Sequence, residues 1–216
     1  MKLISVNVRQ ERSIKEAGKS GTTGIYKLPV SGPVQIGRLG IPGDAVVDTK
    51  NHGGADQAIY IYTEPDYAWW AQELGREMLP GTFGENLTIS ELESATVTIG
   101  DTLHIGEAIL QVTAARIPCK TLAARMGDER FIKRFREGER PGMYCRVLQE
   151  GRVEAGQAIR LERYEGRTVT ILEMFRDFYE QDTTEAEIRR YLEAPIASRA
   201  RKDKEKQLAR LIGKKI

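Results

Sequence analysis

Cysteine and histidine are nearly missing from this chain of 216 residues, which holds only Cys119 and Cys145, and His52 and His104. That excludes a disulfide framework, a four-thiolate zinc site, an iron–sulfur cluster and a His-rich metal centre. No apolar run approaches the roughly 20 residues that span a bilayer, so no membrane partner is expected. The opening Met1-Lys2-Leu3-Ile4-Ser5-Val6 turns polar at once, and no secretory segment is expected. A large charge of one sign is also lacking: 33 Lys/Arg face 31 Asp/Glu, a net +2. With no interleaving of aromatic and basic residues, nucleic acid is not expected as a partner. The expected location is the cytoplasm, where a Cys119–Cys145 disulfide is disfavoured.

Glycine is missing from one end. Twenty of the 21 glycines precede Thr168, and only Gly213 follows it. The glycine-rich part reads as strands and tight turns, the rest as helices. Thr102–Ile105 and Ala108–Val112 flank Gly106-Glu107 as a hairpin. Ala45–Val47, Ala58–Tyr62 and Gln157–Leu161 are further strand candidates. Gly43-Asp44, Gly100-Asp101 and Gly156-Gln157 repeat one kind of turn entering a strand. Thr63 caps a helix that carries Pro65 and Asp66 and stops at Gly75, and a second helical region over Leu122–Phe135 breaks near Gly127. After Thr168, capping boxes at Thr170/Glu173 and Thr184/Glu187 open two helices, and Ser198 opens a third. From Arg199 to Lys215 eight Lys/Arg oppose Asp203 and Glu205, a local +6 read as a solvated helix face. The expected fold is mainly β with inserted helices (α+β): a closed or half-closed β-barrel over residues 1–167, then a three-helix extension over 168–216.

Chemistry concentrates at a few places. Cys119, in Arg116-Ile117-Pro118-Cys119-Lys120, follows a strand and precedes a helix, with a cation on either side. Nearby cations favour the thiolate, which attacks electrophiles and binds soft metals. A small buried hydrophobe is the competing reading of Cys119, and the one adopted for Cys145. His52-Gly53-Gly54-Ala55-Asp56-Gln57 can bring backbone N–H groups close to an anion. Phe83-Gly84-Glu85-Asn86-Leu87 is a second glycine turn bearing an acid and an amide. Lys27, Arg116, Lys120 and Arg146 lie on or beside strands, where a charge needs a partner or an anion. His104 is assigned to the outer face of a strand with no role.

Taken together, the segments 52–60, 83–87, Gly100-Asp101 and 116–120 resemble the MOSC domain, named after the C-terminal part of molybdenum cofactor sulfurases. The resemblance runs over roughly residues 20–165, and the three last helices resemble the extension of one bacterial branch, reductases of N-hydroxylated bases. It implies a strand-rich barrel holding a molybdenum cofactor, one Mo on a single pyranopterin, with Cys119 as the catalytic and metal-binding cysteine. It implies a detoxifying reductase that removes oxygen from small N-hydroxylated compounds such as hydroxylaminopurines, with electrons from an external electron-donor protein. Lys27, Arg116, Lys120, Arg146 and the His52-Gly53-Gly54 loop would then hold the phosphate, and Asp56, Gln57 and Asn86 the pterin. The alternative is a cofactor or sulfur carrier without turnover. The helices would stabilise the barrel, cover the pocket, dock the donor or make a homodimer contact.

Overall fold

A computed structural model describes residues 1–9, 12–14, 21–44, 54–180 and 183–213. The strands are β1 (Leu3–Arg9), β2 (Arg12–Ile14), β3 (Gly21–Thr23), β4 (Lys27–Val30), β5 (Val34–Ile36), β6 (Ile59–Thr63), β7 (Leu87–Ile89), β8 (Thr102–Ile105), β9 (Ala108–Ala115), β10 (Met143–Gln149), β11 (Gly151–Val153) and β12 (Ile159–Glu162). The helices are α1 (Glu64–Leu74), α2 (Lys120–Met126), α3 (Phe131–Gly138), α4 (Ile171–Asp177), α5 (Glu185–Glu193) and α6 (Ser198–Gly213). The strand candidate Ala45–Val47 lies outside the described residues.

Eight strands form one sheet in the order β12-β8-β9-β10-β6-β7-β1-β4. All pairings are antiparallel except β6 with β7, whose connection carries α1. The sheet returns on itself: Lys2 bridges Ala158, and the Leu3 N–H donates to the Gln157 carbonyl at 2.9 Å. This contact joins the start of β1 to the approach of β12, so the barrel is half closed. The three repeated turns share one backbone device, a glycine at positive φ (84° at Gly43, 98° at Gly100, 91° at Gly156).

Local signals account for the helix ends. Thr63 accepts from the Asp66 N–H at 3.4 Å, Pro65 occupies the first turn, and Gly75 closes α1 in the left-handed region. Both capping boxes form, at Thr170/Glu173 and at Thr184/Glu187. The core is a single apolar cluster. Its aromatic centre joins Trp70 of α1, Phe83, Phe131 and Phe135 of α3, and Phe175 of α4, with Phe83 stacked on Tyr62 at 4.3 Å. Burying Trp70 completely also gives its indole N–H a partner, the Tyr62 hydroxyl at 2.8 Å.

The C-terminal helices belong to that core. Val169, Ile171, Phe175, Tyr191, Ala194 and Ile196 are buried in it, and the Ala197 N–H donates to the Thr113 carbonyl of β9 at 3.1 Å. The basic run on α6 is not wholly solvated. Lys204 is 5% exposed, bonds Asp177 at 2.6 Å and lies over the Tyr191 ring. Cys145 is fully buried in β10, and burial pushes its thiol up. His104 of β8 faces Glu162 at 3.2 Å on the sheet's outer side.

Candidate functional site

Cys119 stands where β9 hands over to α2. Pro118 restricts the residue before it to extended backbone, and Cys119 itself is extended (φ −132°, ψ 169°) as the residue preceding α2. Its carbonyl accepts from Leu122 N–H at 3.0 Å and Ala123 N–H at 3.2 Å, starting the helix. The side chain is half-buried at the rim of the core, whereas Cys145 is sealed within it.

Arg116, three residues earlier, is 5% exposed. Its Nη1 donates to the Phe83 carbonyl, and its guanidinium lies 4.9 Å from the centre of the Tyr60 ring. Burial opposes its charge, but Tyr60, Tyr144 and Cys119 overcome that and keep it a firm cation. In return Tyr144 is pushed up, by burial first and then by Cys119 against the relief from Arg116. Thus a buried cation, two phenols and a half-buried thiol share one electrostatic neighbourhood.

A second set of groups lies against the first. Lys27 of β4 is buried and ion-paired with Asp44. Burial lowers its pKa, although Asp44 and Glu85 act in the other direction. Asp44 also accepts from the Asn86 Nδ2 at 2.7 Å and from the Arg9 N–H at 2.9 Å, and Asn86 accepts from the Tyr60 N–H at 3.1 Å. Tyr60 therefore links the Lys27–Asp44–Asn86 group to Arg116. Glu85, wholly buried, feels both Lys27 and Tyr60. Among the described residues, two buried guanidinium nitrogens here, Nε of Arg9 and of Arg116, have no hydrogen-bond partner, and neither has Glu85 Oε2.

The remaining sequence candidates fall elsewhere. Asp56, on the short 3-10 turn Ala55–Gln57, faces Arg146 of β10 at 2.9 Å and accepts from the Ser198 N–H at 2.7 Å. Arg146 also donates to the Pro195 and Ile196 carbonyls, each at 3.2 Å. These two residues thereby tie the start of α6 to the sheet. Burial alone would raise Asp56, but the Ser198 hydrogen bonds and Arg146 hold it below the ordinary range. Gln57 is half-buried at the end of the turn, Gly54 is exposed at φ 97°, and Lys120 is exposed at the start of α2. His52 and Gly53 lie outside the described residues. Sequence reading missed Asp44, Arg9, Tyr60 and Tyr144. Asp44 follows a turn glycine and looks like turn chemistry, so its role depends on segments far away in the chain.

Residues 48–160, more than half of the chain and including Cys119, match the model of the family described as MOSC domain. The chain belongs to the MOSC domain family. Among relatives of this MOSC protein, the uncharacterized protein YflK of Bacillus subtilis (strain 168) is 36% identical over 159 residues, 74% of this chain and 72% of YflK. A protein named Reductase from Gibberella moniliformis (strain M3125 / FGSC 7600) is 33% identical over 163 residues, 73% of this chain but only 29% of that protein. The crystal structure of YiiM from Geobacillus stearothermophilus is 28% identical, with a TM-score of 0.79 over 96% of this chain and 98% of that one. That likeness reaches well past the family match, into the C-terminal helices. Among the described residues no helix of this MOSC protein is long and apolar enough to cross a membrane.

Proposed function

We propose that this MOSC protein is a molybdenum-cofactor-dependent reductase that removes oxygen from N-hydroxylated compounds such as hydroxylaminopurines, using electrons from a separate redox protein. The observation that carries this reading is the half-buried Cys119 thiol beside the buried cation Arg116, at the end of β9 within the family match. The relative named Reductase supports the reaction class.

The residues present suit such a cofactor. Cys119 offers the soft sulfur that molybdenum prefers. Among the described residues no three His, Cys, Asp or Glu side chains cluster as a metal set, so one protein sulfur beside a cofactor that brings its own ligands is the arrangement this chain can serve. Arg116, which has no acid partner among the described residues, offers a cation to an anionic, phosphate-bearing group, and Lys27 and Arg9 are held beside it around Asp44. Asn86, held by Asp44 and the Tyr60 N–H, is a fixed amide within the same group.

Bound there, the cofactor would supply the two-electron chemistry, by which an N–OH group with two electrons and two protons becomes N–H and water. The chain's part is to hold and orient. Cys119 is kept at the rim by its place before α2, the buried cation Arg116 lies three residues before it, and Tyr60 and Tyr144 pack together beside that cation. The phenols stay protonated at neutral pH because burial pushes both upward.

The test is metal and pterin analysis of protein isolated from a host that makes molybdenum cofactor, followed by oxidation of reduced viologen with an N-hydroxylated base. About one Mo per chain is expected, with most of it lost in Cys119→Ala. Equal loading of both proteins overturns the assignment of the ligand. A fully metallated protein that consumes no dye is a carrier, not a reductase.

A further inference from the structure

Three donors from different parts of the chain converge on one carboxylate. Asp44 Oδ2 accepts from Lys27 Nζ and from Asn86 Nδ2, the latter at 2.7 Å, and Oδ1 accepts from the Arg9 N–H at 2.9 Å. The cluster is buried: the Lys27 and Asp44 side chains are 8% and 4% exposed. A carboxylate bonded on both oxygens in this way stands where another anion could stand.

The donors and the acceptor are held differently. Arg9 and Lys27 face each other in the register of β1 and β4. Asn86, just before β7, is pinned from three sides. Its carbonyl accepts from the Asn7 N–H at 2.7 Å, its N–H donates to the Tyr60 carbonyl at 2.8 Å, and its Oδ1 accepts from the Tyr60 N–H at 3.1 Å. Its Nδ2 is therefore aimed by the sheet and not by Asp44. Asp44 itself lies in a turn over residues 41–44, closed by its own N–H on the Ile41 carbonyl at 3.0 Å, with Gly43 at φ 84° and Pro42 and Gly43 exposed. The donors form a frame built into the sheet, and the acceptor is brought to it on a surface turn.

That frame suits a phosphate monoester. The dianion has three terminal oxygens, and the frame offers an ammonium, a side-chain amide and a backbone N–H. Asp44 and the dianion cannot share it, because two like charges would then face one ammonium. Withdrawal of Asp44 alone would leave a buried ammonium and two N–H donors unpaired. An ester entering in its place restores each of those bonds.

We propose that Lys27 Nζ, Asn86 Nδ2 and the Arg9 N–H form a binding site for a phosphate monoester, and that the Asp44 carboxylate competes with the ester for it. The proposal rests on the proposed function only for which ester enters, the phosphate end of the pterin.

The experiment uses inorganic phosphate as the probe. Full-length protein from a host that makes no molybdenum cofactor is titrated by calorimetry, with chloride at equal ionic strength as the blank. Asp44→Ala is expected to bind phosphate at least about tenfold more tightly than wild type, since no carboxylate then holds the frame. Adding Lys27→Met to Asp44→Ala should abolish the gain. Binding by Asp44→Ala that is no tighter than wild type overturns the proposal. So does a gain that survives Lys27→Met, because surface cations would then hold the ion. If Asp44→Ala is unfolded in chloride, phosphate decides: it should restore the near-ultraviolet circular dichroism where chloride at equal ionic strength does not. No restoration makes Asp44 a structural counter-ion only and overturns the proposal. The result is separate from the metal analysis. Phosphate binding through Lys27 in a protein that never carries molybdenum refutes the proposed function and keeps the site, and a molybdenum-bearing protein without the phosphate response does the reverse.

Discussion

Two arginines on neighbouring strand segments have opposite fates. Arg146, in β10, meets a carboxylate and two backbone carbonyls at the junction with α6. Arg116, just past the end of β9, meets one carbonyl, an aromatic face and the field of a thiol, and has no carboxylate partner among the described residues. Among the described residues each keeps a buried Nε without a partner. The difference shows how one residue type is matched by an acid in one place and left without one in another. A guanidinium neutralised by an acid holds the fold together, whereas one buried without an acid keeps its charge for an anion.

The largest effect that would break this comparison is expected at Arg146. Arg146→Ala should cost about 2 kcal/mol in urea or thermal unfolding, because it leaves Asp56 with the Ser198 N–H alone and takes the donor from two carbonyls at the α6 junction. Cys119 alkylation should hardly change; a large change there would mean that the two arginines serve one site. Next comes Arg116→Lys, which keeps the charge but loses the planar fork that reaches the Phe83 carbonyl. It should lower cofactor retention severalfold, measured as Mo per chain, while stability moves by only about 1 kcal/mol.

Smaller effects should appear against pH, with opposite signs in the two regions. Asp56 is held below its model-peptide value of 3.8, so its contribution is present above that pH and lost as the pH falls through the folded value. Asp56→Asn should remove this acid limb from the stability profile. Glu85, facing Lys27, Tyr60 and Tyr67, is raised above 4.5, chiefly by burial. There the folded state binds more protons than the unfolded one, so stability falls as the pH rises from 4.5 through the folded value. Glu85→Gln should flatten that decline in urea titrations over the range. The smallest change is expected from Thr184→Ala, about 1 kcal/mol for a lost cap on α5, with no effect on either arginine.

Legibility in the sequence followed the range of the interaction. The caps at Thr63, Thr170 and Thr184, the stops at Gly75 and Gly127, and the hairpin at Gly106 were readable because each involves groups within about four residues of each other. Cys119 stood out for the same reason, since proline, two cations and a helix start surround it. In sequence Asp56 and Arg146 read as contacts to a ligand because nothing local to either shows a partner. In the fold they are partners 90 residues apart, along with a helix start still further along the chain.

What the amino-acid order determined by itself was the set of elements, their ends, a buried Cys145 and a conspicuous Cys119, all of which follow from periodicity and local hydrogen bonding. Only the tertiary structure decided which charges meet which groups: Lys27 with Asp44, Arg146 with Asp56, Arg116 with a carbonyl and an aromatic ring. The physical reason is that burying a charge demands an answering group at once, and in a sheet that returns on itself the answer comes from strands and turns far apart in the chain.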